Sequence, residues 1–514
     1  MKRLPWLWAT VGVLGVYYFI RYMLSPYGMD DGNYYNVASV PQSFGVRTFD
    51  WHRLPLIFDV NWWSPRLSNM VVPLLMIIPT WVKGLIGAAT QIGTLTLGAK
   101  IAGLTRRNSS LLCTLMAFLY VVALPWYEPM MVCAFFTNYG LTTLMLLALI
   151  LMFVREKPTP WWATGLYTLF FAFWHEGYTA FSLCAFGLVL VAYRRMWRAD
   201  RIAIVVALAA ALVAFILMHG TQARFAASNY AVSRTEVILA SLGIEIFLVL
   251  AAYCFISKKW RSRVFTPVLV ALIGVAFAAY CQHWILRIAA RSLHPGLACA
   301  TFGIVYIIGR ITPPGYFARP RWYATAAAVW IFLIAHFVAV IRCDAVLSRE
   351  SKVIESEFLK HPHDDFFVPL ECTRDVPIIT LRHSYDSTWK PYSFTRITTA
   401  CCHFEEDEMA KTGFIRVVPI ELKDYREGMG EPINSNCKVY RYKGRFVALR
   451  SDIHPHDVEG EGNSEIHFSN CFTYGRVYRF TEFTGTDGRK YVWIYPMGAW
   501  LEAVCGPITE LLLY

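Results

Sequence analysis

Stretches of about twenty apolar residues, separated by short basic clusters, fill the chain from residue 5 to residue 342. A helix of that length matches the hydrocarbon thickness of a bilayer, so the pattern predicts transmembrane helices. From about residue 343 the long apolar runs stop, and charged residues, Pro and Asn become frequent. The chain thus divides into a membrane domain over 1–342 and a soluble domain over 343–514, the latter of ordinary single-domain size. In the second part, Lys438 to Leu449 and Arg476 to Tyr495 read as β-hairpins turning at Lys443-Gly444 and near Asp487-Gly488. The expected fold is mainly α: a polytopic transmembrane helical bundle followed by a C-terminal β-rich domain.

The basic clusters orient the bundle. Lys2/Arg3, Arg106/Arg107, Arg155/Lys157, Arg194 to Arg201, Lys258 to Arg263 and Arg310 to Arg321 all belong in the cytoplasm by the positive-inside rule. Residues 158–193 are an almost unbroken apolar run with basic residues at both ends. One helix of that length would be about 54 Å long, too much for a single crossing. The run is therefore expected to fold as a hairpin, with its one polar break, His175-Glu176-Gly177, at the outer apex. The same reasoning predicts hairpins over 111–154, 202–257 and 264–309, with outer turns at 127–138, 219–236 and 282–294. Residues 5–24 lead out as an uncleaved first span, 84–104 lead back, and 323–342 carry the chain out again, for about eleven spans. Segment 67–79 is too short to cross and is expected to lie in the interface. The cytoplasmic membrane is the implied location, with the C-terminal domain outside it.

Composition agrees with this picture: 56% of the residues are hydrophobic and only 16% charged. The net charge of +12 sits largely in the loops that set orientation, and no basic stripe with interleaved aromatics points to nucleic acid. Of thirteen cysteines, seven lie from Cys343 onward, enough for three disulfides and one thiol in an oxidising compartment.

Polar residues on the outer side are few. Asp30 and Asp31 follow the first span by six residues, and a carboxylate so near lipid needs a role. It can take the proton from an attacking hydroxyl, hold a divalent cation, or cap a short helix. His175 and Glu176 form the second candidate, with pairing to an outer arginine as the plain structural alternative. Arg287 and Arg291, four apart, would share a helical face and could clamp a phosphate, as could Arg224, Arg234 and Arg66. His294 is a lesser candidate. Glu128 and Asn138 lie in another expected outer turn and receive no role. Tyr34, Trp62 and Trp63 suit either a sugar or the membrane interface. His361-Pro362-His363-Asp364 and His454-Pro455-His456-Asp457 repeat a pattern that reads best as solvated loops, with a metal site as the alternative.

Taken together, Tyr27-Gly28-Met29-Asp30-Asp31-Gly32 after the first span, a long aromatic outer loop, the hairpin series and an outer C-terminal domain resemble the GT-C superfamily of integral-membrane glycosyltransferases. Within it, the likeness is to bacterial multispan proteins with an Asp-Asp pair and an aromatic segment ending in Gly-Arg. Here that segment reads Asn61-Trp62-Trp63-Ser64-Pro65-Arg66, with Pro65 in place of the Gly. The resemblance implies a polyprenyl-phosphate-linked sugar as donor and a glycan, lipid or protein acceptor. It also implies Asp30 or Asp31 as base, outer arginines on the leaving phosphate, and inversion at the anomeric carbon. Whether a divalent cation takes part differs among relatives. A transporter or flippase of lipid-linked glycans, which would need broken helices at mid-membrane depth, is the alternative function. A non-catalytic membrane scaffold is the third.

Overall fold

The structure is a computed structural model that describes residues 6–25, 29–43, 46–62, 65–107, 109–124, 133–227, 234–286, 290–313, 315–360, 366–368, 417–433, 438–453, 461–470, 473–496 and 502–513. The chain forms two compact units. The first contains residues 1–23, 37–39 and 49–337; the second contains 24–36, 40–48 and 338–514.

The first unit is a helical bundle. Among the described residues six helices are long and apolar enough to cross a membrane: Trp6–Leu24, Cys133–Val154, Ala199–Leu217, Pro267–Ile285, His294–Ile311 and Pro320–Arg342. The protein is therefore a multi-pass membrane protein. A seventh candidate is the pair Ser241–Ile256 and Lys258–Val264, bent by 114°. Two members of the expected series are apolar but short, Ser110–Val122 and Glu176–Ala192, and Leu67–Ile77, expected not to cross, is short as well. The helix Thr80–Ile101 has 22 residues, and it buries Lys83, Thr90, Gln91 and Thr94. These polar groups lower its hydropathy and turn it toward the protein interior.

The apolar run 158–193 breaks at His175, into helices Trp161–Trp174 and Glu176–Ala192. His175 is extended, and its side chain accepts the Gly177 N–H, so it caps the second helix, whose first turn carries Glu176. Capping together with an acidic residue beside the helix dipole explains why the helix restarts here. The two helices pack mainly on different partners, Ala199–Leu217 and Pro267–Leu286 respectively. The latter contact is close because Gly274 faces Ala185, where an added Cβ would lie 2.6 Å from the Ala185 Cα. Small residues of this kind let membrane helices approach.

In the second unit a seven-stranded antiparallel sheet dominates. Its strands, numbered here within the sheet, are β1 (Glu431–Pro432), β2 (Val439–Tyr442), β3 (Arg445–Leu449), β4 (Glu461–Phe468), β5 (Thr473–Thr484), β6 (Lys490–Pro496) and β7 (Ile508–Leu513), in the order β7-β4-β5-β6-β3-β2-β1. The backbone N–H of Leu511 on β7 donates to the carbonyl of Ile433, next to β1, at 3.1 Å. This draws the two edges together around a core of Val439, Phe446, Ile466, Phe468, Val492, Ile494 and Leu511. One donor and one acceptor that would otherwise be open to pairing are thereby satisfied. The β2–β3 hairpin turns at Lys443-Gly444, both with positive φ (47° and 79°), as a two-residue hairpin of primed type requires. The β5–β6 turn has Gly488 at φ 76°.

Asp487 organises that second turn. Its carboxylate accepts the Tyr491 hydroxyl at 2.6 Å and the backbone N–H groups of Glu427 and Arg489 at 3.1 Å each. The Tyr491 hydrogen bond, and then the Glu427 N–H, hold its carboxyl at about 2, below the ordinary 3.8. A depressed folded-state value contributes stability above the unfolded value and loses it as the carboxylate protonates. The advantage of wild type over Asp487→Asn is therefore expected to be full above about pH 4 and to vanish toward pH 2. Hydrogen exchange of residues 425–433 across that range checks it; a difference that does not change with pH would remove the carboxylate from the account.

Candidate functional site

Within the first unit, side chains from four separate stretches meet around Glu176. The carboxylate receives Arg66 in bidentate fashion, Nε to Oε2 at 2.5 Å and Nη2 to Oε1. Arg224 adds Nη1 to the same Oε1 at 3.1 Å. The Arg66 and Glu176 side chains are 6% and 16% exposed, and that of Arg224 is 31% exposed, so the cluster is buried on one side and open on the other. Planar two-point pairing of this kind is the strongest form of the arginine–carboxylate contact.

Around this pair lies a layer of neutral hydrogen bonds. Arg66 Nη1 donates to Asn138 Oδ1 at 3.2 Å, and Ser68 Oγ donates to the same oxygen at 2.6 Å. Asn138 Nδ2 in turn donates to Asn69 Oδ1 and to the Ala134 carbonyl. Asn138 lies in a π-helical turn, Phe136–Leu141, inside the helix Cys133–Val154, rather than in an outer loop as its sequence surroundings suggest. Widening of the helix here turns carbonyls toward side chains. The Thr137 carbonyl accepts Trp174 Nε1, the Asn138 carbonyl accepts Thr142 Oγ1, and the Tyr139 carbonyl accepts both Thr143 Oγ1 and the Tyr178 hydroxyl. Such turns recur at functional positions in helices. Thr143 also contacts His294 Nδ1 at 3.0 Å, which ties the first residue of the helix His294–Ile311 to the same layer.

Arg224 reaches the cluster because the short helix His219–Ala227 docks on the segment just before Arg66. Gly220 donates its N–H to the Val60 carbonyl at 3.0 Å, and a Cβ on Gly220 would fall 1.4 Å from the Trp62 carbonyl oxygen. Only glycine allows that approach. One turn later the helix presents Arg224.

His175 sits beside the ion pair. Its Nδ1 accepts the Gly177 N–H at 3.1 Å and lies 3.7 Å from Glu176 Oε2. Its ring packs against Tyr139 and Tyr178, with centroids 5.4 and 5.2 Å away. Nε2 is buried and has no hydrogen-bond partner among the described residues. A buried polar nitrogen left in that state costs about 1–3 kcal/mol.

Of the residues read from the sequence, Arg66, His175, Glu176 and Arg224 come together. Asp31 is fully buried on the helix Met29–Val37. This helix, which also carries Asp30, belongs to the second unit up to Asn36. The side chains of Asp30, Arg234 and Arg291, and all of Arg287 and Glu128, lie outside the described residues. Arg291 is in a 3-10 turn, Ala290–Leu293, not on an α-helix. Both His-Pro-His-Asp segments also lie outside, and among the described residues no group of three or more His, Cys, Asp or Glu could hold a metal ion. Cys505 is free, while Cys372, Cys401, Cys402, Cys437 and Cys471 lie outside the described residues. Ser68 and Asn69 are additions from the structure, and Asn138, noted in the sequence without a role, gains one here. Their signal was faint: polar residues beside or within otherwise apolar runs. No family model, curated protein or solved structure matches the chain.

Proposed function

We propose that this protein is a GT-C-like glycosyltransferase that moves a sugar from a polyprenyl-phosphate carrier to a glycan, lipid or protein acceptor at the outer face of the cytoplasmic membrane. In this reading the chain makes about eleven crossings, and the domain over 343–514 lies outside. The observation that carries the proposal is the convergence of Arg66, Glu176 and Arg224 in one half-open cluster. Intramembrane charge is retained where it does work, and arginine forks suit phosphate oxygens.

Glu176 has both oxygens engaged by guanidinium groups, so its role here is to hold the arginines rather than to accept a proton. Arg224, the most exposed of the three, meets the phosphate. The resemblance assigns the proton of the acceptor hydroxyl to Asp30 or Asp31. The hydroxyl oxygen attacks the anomeric carbon, the carbon–oxygen bond to phosphate breaks, and the electron pair leaves with the phosphate. Preorganised positive charge beside the departing group lowers the barrier. The second reading, a transporter of lipid-linked glycans, needs helices broken at mid-membrane depth, whereas the 114° bend lies at Ser257, beside the basic cluster Lys258 to Arg263.

Purified protein in liposomes, given a polyprenyl-phosphate-linked sugar, tests both. Asp30→Asn and Asp31→Asn, assayed separately, are expected to include one variant slowed about a hundredfold. If both insert normally and keep full transfer, the base assignment fails. Movement of intact donor across the bilayer with no cleavage of the sugar–phosphate bond would leave the transporter.

A further inference from the structure

We infer that His175 is a neutral hydrogen-bond donor reserved for a phosphate oxygen of the bound lipid. This deepens the reading above and rests on its substrate class. The Gly177 N–H donates to Nδ1, so that nitrogen carries no proton and the ring proton belongs to Nε2. Nε2–H is then a donor that is buried and has no acceptor among the described residues. Native proteins rarely leave such a group unmatched, and a catalytic role or a bound ion is among the reasons when they do.

The surroundings select the kind of acceptor. The ring packs against Tyr139 and Tyr178 and is largely shielded from water. Arg66 and Arg224 pair with Glu176, whose carboxylate lies 3.7 Å from Nδ1 of the same ring. The 17-residue helix Glu176–Ala192 begins there, with its positive dipole end at the site. An oxygen carrying negative charge suits an N–H donor beside a positive helix end in a neighbourhood with two guanidinium groups and one carboxylate, and a phosphate ester supplies such an oxygen. A hydroxyl or an alkyl group would leave most of this arrangement unused. Two molecules offer this chemistry: the polyprenyl phosphate of a sugar donor, and the headgroup of a bulk anionic phospholipid.

Binding measured without turnover separates this inference from the transfer reaction. Full-length protein in neutral phosphatidylcholine nanodiscs would be titrated with polyprenyl monophosphate, with the matching polyprenyl alcohol, and with phosphatidylglycerol. His175→Phe keeps an aromatic ring and removes the donor. His175→Gln restores an N–H near the position of Nε2. We expect His175→Phe to weaken polyprenyl phosphate binding about tenfold, to leave the alcohol unchanged, and His175→Gln to recover most of the loss. The same pattern with phosphatidylglycerol would make the ligand a bulk headgroup and overturn the donor-lipid assignment. Equal loss for phosphate and alcohol, or no loss, would overturn the role of His175. A His175-dependent phosphate effect in a protein that transfers no sugar would uphold the inference and sink the function proposed above.

Discussion

Replacing Glu176 by alanine is expected to destabilise the helical bundle by about 3–5 kcal/mol, the usual effect of removing one member of a buried ion pair. Arg66 is almost wholly buried, and two of its donors end on this carboxylate. Without the carboxylate, a buried guanidinium loses the acceptor of two of its donors and the charge that balances it. Glu176→Gln should fall between, because the amide keeps an acceptor oxygen but not the charge. Arg66→Ala should hurt comparably, and the double variant should lose less than the sum of the two. Thermal loss of monodisperse protein in detergent, run as a double-mutant cycle, measures this. Near-zero coupling between the two positions would show that the pair does not hold the site together.

Gly220→Ala should have an effect of similar size, about 3 kcal/mol, by a different route. The obstacle to a Cβ is the Trp62 carbonyl, a backbone atom that cannot rotate away. The helix His219–Ala227 must then lift from residues 60–62, losing the Gly220-to-Val60 hydrogen bond and withdrawing Arg224 from Glu176. Faster hydrogen exchange over 219–227 would report the lift. Gly165→Ala is the matched control: it lies within the helix Trp161–Trp174, has nothing within 4 Å of an added Cβ, and should be neutral or slightly stabilising. If the two substitutions behave alike, the docking contact is not what positions Arg224.

How much of this could be read along the chain depends on how local the cause is. The turn at Lys443-Gly444 was legible because positive φ at two adjacent residues demands that chemistry on the spot. The break at His175 was legible because a polar pair interrupted an apolar run too long for one crossing. The partnership of Arg66 with Glu176 was open only as one alternative among several, since 110 residues separate them and nothing nearby specifies the contact. Asn138 was misplaced because aromatic, polar and glycine residues around it imitate a loop, whereas a π-helical turn is set by hydrogen-bond spacing that no hydrophobic period records. The sequence reads 84–104 as an ordinary crossing, yet Thr80–Ile101 buries Lys83, Thr90, Gln91 and Thr94.

The wide turn at Phe136–Leu141 has an evolutionary corollary. Its bonding pattern holds one residue more than a regular helical turn would. A single-codon deletion there could restore ordinary winding while leaving the flanking faces in register with their neighbours. The scaffold and the carbonyl-lined polar layer would then be separable traits.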